Sequence, residues 1–149
     1  MIYSQTWKVV EIVTPVSSTD GDTLTGTVDC IGFKHLDLIW QLATGADASD
    51  QPQVCKVAEG DTTSAYTDIV AFTGGTATST SVGFVIPDSS ASARQFYKMS
   101  MDLRKRKRYL KCSLELETTQ INYILGILSD PDVMPDTTTE AGTVLTVNG

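Results

Sequence analysis

Few residues in this sequence belong to the types that usually carry out catalysis. His35 is the only histidine, so a Ser/His/Asp or Cys/His relay would depend on this one residue. The segment around it alternates, with Leu36 and Leu38 on the face opposite His35, which indicates a strand that carries a structural or surface histidine. The sequence therefore predicts a protein without enzymatic activity.

The sequence gives little support for a site that binds a metal ion or a phosphate, or for one that hydrolyses glycosidic bonds. The tracts "DGDT" (20–23) and "EGDT" (59–62) lack the spaced ligands and the final bidentate glutamate of a calcium-binding loop, and they are typical of turns. The tract "TGGT" (73–76) lacks the lysine and the following helix of a phosphate-binding loop. Glu115 and Glu117 share the outward face of one predicted strand, without an aromatic cleft nearby in the sequence. We expect no cofactor and no bound metal.

One run of charge interrupts the sequence, namely Arg104, Lys105, Arg106, Lys107 and Arg108. The chain has 11 Lys and Arg against 18 Asp and Glu, and its net charge of -7 opposes the approach of nucleic acid. Strand alternation through the run would bury three arginines at high cost, so we expect the run outside the core, as a hairpin turn or a projecting strand. Two interpretations remain open: a solvated turn that protects a sheet edge, or a contact with carboxylates of a partner protein.

Short strands separated by turns are predicted along the whole chain. Segments rich in Val, Ile, Leu, Thr and aromatic residues alternate with tracts rich in Gly, Pro, Asp, Ser and Thr. No segment sustains the apolar spacing of an amphipathic helix. The predicted strands cover residues 7–13, 23–31, 35–43, 53–58, 66–72, 82–86, 96–103, 108–118, 120–128 and 143–147. About ten short antiparallel strands predict an all-β sandwich of the jelly-roll type.

Alternation within two of these strands predicts part of the core. The residues that share an inward face are Leu36, Leu38, Trp40 and Leu42 in the third predicted strand and Leu110, Cys112, Leu114 and Leu116 in the eighth. Cys30, Cys55 and Cys112 are odd in number, far apart in the sequence and surrounded by apolar residues. This pattern predicts buried free thiols in a protein made in a reducing cytosol.

The length of 149 residues fits a single domain over residues 1–149, with chain ends that extend from it. The N-terminal sequence "MIYSQTWKVV" has no cationic region followed by an apolar block, and no apolar run reaches the roughly 18–20 residues that span a bilayer. We expect a soluble protein without a cleaved signal or a membrane contact. The same N-terminal segment alternates, so it could add as a strand to another protein or to a neighbouring copy.

A carbohydrate- or host-surface-binding module is an alternative function. Trp7, Trp40, Tyr66 and Tyr97 could form a platform on which sugar rings stack. Alternation places Trp40 in the core, which leaves Trp7 and some of the tyrosines as candidates.

The order of segments resembles that of small proteins encoded beside the head genes of tailed bacteriophages. The stretches that carry this resemblance lie within residues 34–130, and they are "LDLIWQLATGADAS", "VCKVAEGDTTSAYTDIVAF", "VIPDSSASARQFYKMSMDLRKRKRYLKCSLELE" and "INYILGILS". The most distinctive part is the block "DLRKRKRYLKC" ahead of the penultimate long strand. In these features the chain is similar to head decoration, or cement, proteins.

This resemblance implies a structural virion protein on the capsid exterior, made in the host cytoplasm. Such a protein binds the phage major capsid protein, bridges its subunits to stabilise the head, and commonly forms a homotrimer at three-fold positions. Binding to the assembled lattice but not to free subunits stabilises the lattice by mass action, and trivalent engagement raises the affinity further. The expected capsid or subunit contacts are Arg104, Lys105, Arg106, Lys107, Arg108 and Trp7.

Overall fold

The structure is a computed structural model that describes residues 6–19, 21–42, 54–69, 95–115 and 119–132. Two antiparallel sheets make up this part of the chain. The strands are β1 (Trp7–Ser18), β2 (Thr23–Asp29), β3 (Phe33–Leu42), β4 (Val54–Thr62), β5 (Ala65–Asp68), β6 (Gln95–Asp102), β7 (Tyr109–Glu115) and β8 (Gln120–Pro131). The prediction of an all-β sandwich is confirmed. Within these ranges there is no helix, and hence no helix that could cross a membrane.

The predicted strands match the observed ones in eight of ten cases. The remaining two, 82–86 and 143–147, lie outside the described residues, so the count of ten and the single domain over 1–149 stay predictions. β1 runs on to Ser18 through a tract predicted as a turn. This edge strand changes register on both sides of Val13, and edge strands with such bulges accommodate residues like Pro15.

β4 also extends beyond its predicted end, through the tract "EGDT", which was predicted as a turn. Gly60 lies in the strand, where a side chain has no room. A Cβ atom at Gly60 would lie 2.2 Å from the carbonyl oxygen of Ala65 in the neighbouring β5. The glycine is therefore required by a close backbone approach in the hairpin from β4 to β5.

The strands alternate between the two sheets along the chain. Sheet A has the order β1-β8-β3-β6, and sheet B has the order β2-β7-β4-β5. The pairings are nested in the sequence, since β1 pairs with β8, β2 with β7, β3 with β6 and β4 with β5. Among the eight described strands, only β4 and β5 are consecutive in the chain and belong to the same sheet. Residues distant in sequence therefore meet across a common core.

The core between the sheets contains the side chains that alternation predicted. Those that are fully buried include Leu36, Leu38 and Trp40 of β3 and Leu110, Cys112 and Leu114 of β7. Leu42 and Leu116, which belong to the same predicted faces, lie outside the described side chains. Cys30, Cys55 and Cys112 are buried free thiols, which confirms the predicted burial.

Candidate functional site

The basic turn, residues 104–108, lies on the connection from β6 in sheet A to β7 in sheet B. The N–H of Leu103 donates to the carbonyl of Lys34, and the N–H of Cys30 donates to the carbonyl of Arg108, both at 2.8 Å. The run lies outside the core, as predicted. It is not a hairpin turn or a projecting strand, however, because it joins two different sheets and is anchored at both of its ends.

Four of the five cations in the basic turn pair with carboxylates of the same chain. The pairs are Arg104 with Asp102 (2.6 Å), Arg106 with Glu59 (3.6 Å), Lys107 with Asp61 (2.9 Å) and Arg108 with Asp29 (2.6 Å). These carboxylates come from β6, β4 and β2, so the pairs connect the turn to strands of both sheets. We call this set of four pairs the ionic clasp. It provides a third role for the run, which neither sequence interpretation included.

The ionic clasp neutralises most of the charge of the basic turn. Arg108 donates from Nε and Nη2 to the two carboxylate oxygens of Asp29, at 3.0 and 2.6 Å, and its guanidinium lies 4.8 Å from the centre of the Tyr109 ring. The hydrogen bonds from Arg108 lower the pKa of Asp29, and those from Arg104 lower the pKa of Asp102. Both carboxylates therefore stay charged, and keep their cations paired, to a more acidic pH than usual.

Lys105 is the remaining cation of the turn. Its side chain is exposed and makes no ion pair with any residue that the structure describes. At the same end of the sandwich, Ile31 lies in the turn from β2 to β3 and is 62% exposed. Lys105 and Ile31 are therefore accessible side chains on a backbone that the ionic clasp holds in place.

Removal of the Glu59 charge is expected to weaken the ionic clasp. Glu59 accepts a hydrogen bond from the N–H of Lys107 at 3.2 Å and pairs with Arg106, and the two paired side chains are 20% and 28% exposed. We expect Glu59→Gln to lower the free energy of unfolding by roughly 1 kcal/mol in urea titrations. Lys105→Gln, which removes an exposed and unpaired charge from the same turn, is the control and should change it by less than about 0.5 kcal/mol. Equal effects of the two substitutions would contradict a stabilising clasp.

Trp7, the other predicted contact residue, begins β1 and is half-buried. It lines an open groove of about 400 Å³ together with Thr6, Asp37, Ile127 and Ser129. This volume lies within the range of small-molecule sites. The groove combines an aromatic ring and an aliphatic side chain with a carboxylate and two hydroxyl groups.

Asp37 is surrounded by three polar side chains of sheet A. Ser100 Oγ donates to Oδ1 at 2.5 Å, His35 Nε2 lies 3.2 Å from the same oxygen, and Lys98 Nζ lies 3.0 Å from Oδ2. Burial raises the pKa of Asp37, but the hydrogen bonds from these three residues outweigh it, and the pKa lies below its usual value. The arrangement is not a Ser/His/Asp relay, because Ser100 bonds to the carboxylate and not to the imidazole.

The strand register brings Trp7 and the basic turn to the same end of sheet A. Trp7 is opposite Ser129, Ser129 is opposite His35, and His35 is opposite Asp102, the partner of Arg104. With roughly 4.8 Å between neighbouring strands, the backbones of the first and last residues in this row are about 14 Å apart. The two parts of the predicted contact set thus share one end of the sandwich.

The other tracts with residues that could carry chemistry form no assembled site in the described part of the chain. Gly21 has a φ of 77° in a turn in which the N–H of Thr19 donates to the carboxylate of Asp22 at 2.9 Å. Within the described ranges, no three His, Cys, Asp or Glu side chains are grouped so that they could hold a metal ion. Residues 73–76 and Glu117 lie outside those ranges.

Comparison with known proteins gives only distant structural likeness. No protein-family model matches the sequence, and no curated protein matches it. The fold is similar to part of a family GH115 4-O-methyl-alpha-glucuronidase, BtGH115A, with a TM-score of 0.40, 9% identity, and coverage of 87% of this chain and 17% of that chain. It is also similar to part of dimeric latent PorU from Porphyromonas gingivalis, with a TM-score of 0.41, 8% identity, and coverage of 85% and 13%. This chain spans less than a fifth of either protein.

Proposed function

We propose that this chain is a non-enzymatic structural protein of a tailed-phage virion, which binds the outer capsid surface and bridges major capsid protein subunits. The observation that supports this most is the basic turn, where the ionic clasp holds the backbone and leaves Lys105 and Ile31 exposed. Side chains presented by a preorganised backbone lose less conformational freedom on binding than those of a mobile loop. The phage assignment itself rests on the sequence resemblance over residues 34–130.

The proposed protein acts from the capsid exterior after synthesis in the host cytoplasm, as a homotrimer. Three linked copies engage the lattice together, so the second and third contacts form at high effective concentration. The chain carries a net charge of -7, and most of its acidic surface faces solvent in this arrangement. No bond is made or broken, because the head is stabilised by binding alone.

We further infer that the sandwich is a jelly roll, the two-sheet architecture found in many viral capsid proteins. The support is the nested pairing of β1 with β8, β2 with β7, β3 with β6 and β4 with β5. A long antiparallel hairpin that is folded over on itself produces this order, and it places alternate strands in opposite sheets.

Replacement of Lys105 by serine is expected to weaken binding to expanded capsids of the parent phage by about tenfold or more, because it removes a charge-assisted contact. Lys107→Ser is the matched control on the same turn, since Lys107 already pairs with Asp61 at 2.9 Å. Co-sedimentation with capsids at increasing protein concentration measures both affinities. Binding of the unmodified protein should also weaken as the salt concentration rises.

Three outcomes would count against this proposal. A protein that does not sediment with capsids at any concentration is not a decoration protein. Binding that is unaffected by salt and by Lys105→Ser would place the capsid contact elsewhere than the basic turn. A larger loss for Lys107→Ser than for Lys105→Ser would mean that the ionic clasp, and not the exposed cation, is needed for attachment.

A carbohydrate- or host-surface-binding module is the second candidate, and the groove beside Trp7 is the observation that favours it. An aromatic ring next to Asp37 offers a stacking surface and a hydrogen-bond acceptor, which sugar rings require. Electrophoresis in gels that contain host-cell polysaccharide would show retardation of the unmodified protein and its loss in Trp7→Ala. Equal mobility of the two proteins, with and without polysaccharide, would reject this candidate.

A further inference from the structure

The outer face of sheet A carries more apolar side chains than that of sheet B, among polar ones. The outward residues of sheet B include Thr23, Thr25, Thr27, Lys111 and Glu115. Those of sheet A include the apolar Val9, Ile39, Phe96, Tyr123, Leu125 and Ile127 and the polar His35, Asp37, Gln41 and Ser100. Phe96 is 64% exposed, and Ile121, at the start of β8, is 55% exposed. Sandwich strands usually place polar residues on their outer face, so the apolar side chains on this one mark an interaction surface.

β8 carries most of the apolar residues of this face. Its inward residues Ile124 and Leu128 are fully buried in the core, while Leu125 and Ile127 on its other side are also aliphatic. A strand that is apolar on both sides is typical of a sheet that is covered on both faces. Because β8 is a central strand of sheet A, its apolar residues lie near the middle of the face, where they adjoin His35, Asp37 and Ile39 of β3.

We propose that this outer face of sheet A binds a further copy of the same chain, with Glu11 of one copy against Lys98 of the next. The inference deepens the homotrimer of the proposed function, and it does not depend on attachment to a capsid. The identity of the occupant follows from the distribution of charge on the face.

Charges lie at both edges of one row across this face, and Asp37, in the next row on the central strand β3, is already paired within the chain. Glu11 on β1 is opposite Leu125, Leu125 is opposite Ile39, and Ile39 is opposite Lys98 on β6. One row across the sheet therefore has a carboxylate at one edge, two aliphatic side chains in the middle and an ammonium group at the other edge. Glu11 is exposed, and Lys98, although it contacts Asp37 at 3.0 Å, is 61% exposed.

Rotation about an axis that is parallel to the strands brings these two edges together. When identical faces surround such an axis, the β1 edge of each copy meets the β6 edge of the next, for two copies and for three. Glu11 then meets Lys98 of the neighbouring copy, while Leu125 and Ile39 turn towards the axis. Other surfaces of a chain with a net charge of -7 would tend to repel a second copy, but this row attracts it.

The area of the face is sufficient for such a contact. Four strands at roughly 4.8 Å spacing, over about nine residues at roughly 3.3 Å each, give on the order of 500 Å² per copy. Two such faces bury about 1,000 Å², which is near the lower limit of specific interfaces. We therefore expect association that depends on protein concentration.

Charge reversal tests the contact without disturbing the core. We expect Glu11→Lys and Lys98→Glu each to weaken self-association by about tenfold or more, because each places like charges together, and the double variant to restore it. Multi-angle light scattering over a range of concentrations gives the mass of each variant. As a second test, Leu125→Asp on the apolar face should dissociate the assembly, whereas Thr25→Asp on the outer face of sheet B should not.

The inference is overturned by an unmodified chain that stays monomeric at protein concentrations up to about 1 mM. It is also overturned if the double reversal fails to restore the mass, or if Thr25→Asp dissociates the assembly as strongly as Leu125→Asp. The proposed function is tested separately from this contact. Multimers that never bind capsids would contradict the decoration function and leave this contact standing. Monomers that bind capsids would contradict this contact and leave the decoration function standing.

Discussion

Replacement of Gly26 by alanine is expected to destabilise the sandwich by about 3 kcal/mol, the upper part of the range for overpacked sites. Gly26 lies in the middle of β2 and is opposite Cys112 of β7. A Cβ atom at Gly26 would lie 1.9 Å from the carbonyl oxygen of Ile12 and 2.6 Å from its carbonyl carbon. Both atoms belong to the backbone of β1, so relief requires the edge strand of sheet A to move away from sheet B.

Gly126 provides a matched control for this substitution. A Cβ atom at Gly126 would lie 3.0 Å from Ile12 Cδ1 and 3.3 Å from Leu36 Cδ1, which are the ends of side chains that can shift. We expect Gly126→Ala to cost less than half as much as Gly26→Ala in urea unfolding. Where a Cβ atom has room, a substitution of Gly by Ala stabilises a protein by roughly 0.4–1 kcal/mol, because it reduces the conformational entropy of the unfolded chain. Equal losses at the two positions would contradict the close approach of β1 to β2.

The parts of this fold that could be predicted from sequence are those that depend on neighbouring residues. Alternation placed Trp40 and Leu110 in the core, because the side-chain period of a strand is fixed by backbone geometry alone. Turn residues separated the strands for the same local reason. Strand ends were less accurate, since an edge strand such as β1 can include Pro15 and polar residues that are typical of turns.

The role of the basic turn could not be predicted, because the partners of its cations are distant in the sequence. Asp29 is 79 positions from Arg108, and Glu59 is 48 positions from Lys107. Only Asp102, two positions from Arg104, gave a local signal. The apolar outer side of β8 did have a signal, since "INYILGIL" lacks the alternation of a strand with one solvated face. Its meaning depends on the position of β8 in the centre of sheet A, which only the pairing reveals.

A rise in pH from 8 to 10 is expected to destabilise the protein by roughly 5 kcal/mol, because the three buried thiols stay protonated in the folded state. Burial raises the pKa of Cys30 to about 12 and raises the pKa values of Cys55 and Cys112 well above the usual range. In the unfolded chain each thiol ionises near pH 8.5. The folded pKa lies above the unfolded one, so the stability contribution is complete below about pH 8.5 and is lost as the pH rises towards the folded values.

Each thiol contributes a loss of about 1.4 kcal/mol per pH unit in that window, so the three together give roughly 4 kcal/mol per unit above about pH 9. Urea titrations at pH 8, 9 and 10 measure this slope. Cys30→Ala should reduce the slope by about one third, since one of the three thiols is removed. A slope that is flat, or one that Cys30→Ala leaves unchanged, would mean that the thiols ionise as readily in the folded protein as in the unfolded chain. That result would contradict their burial in the core between the two sheets.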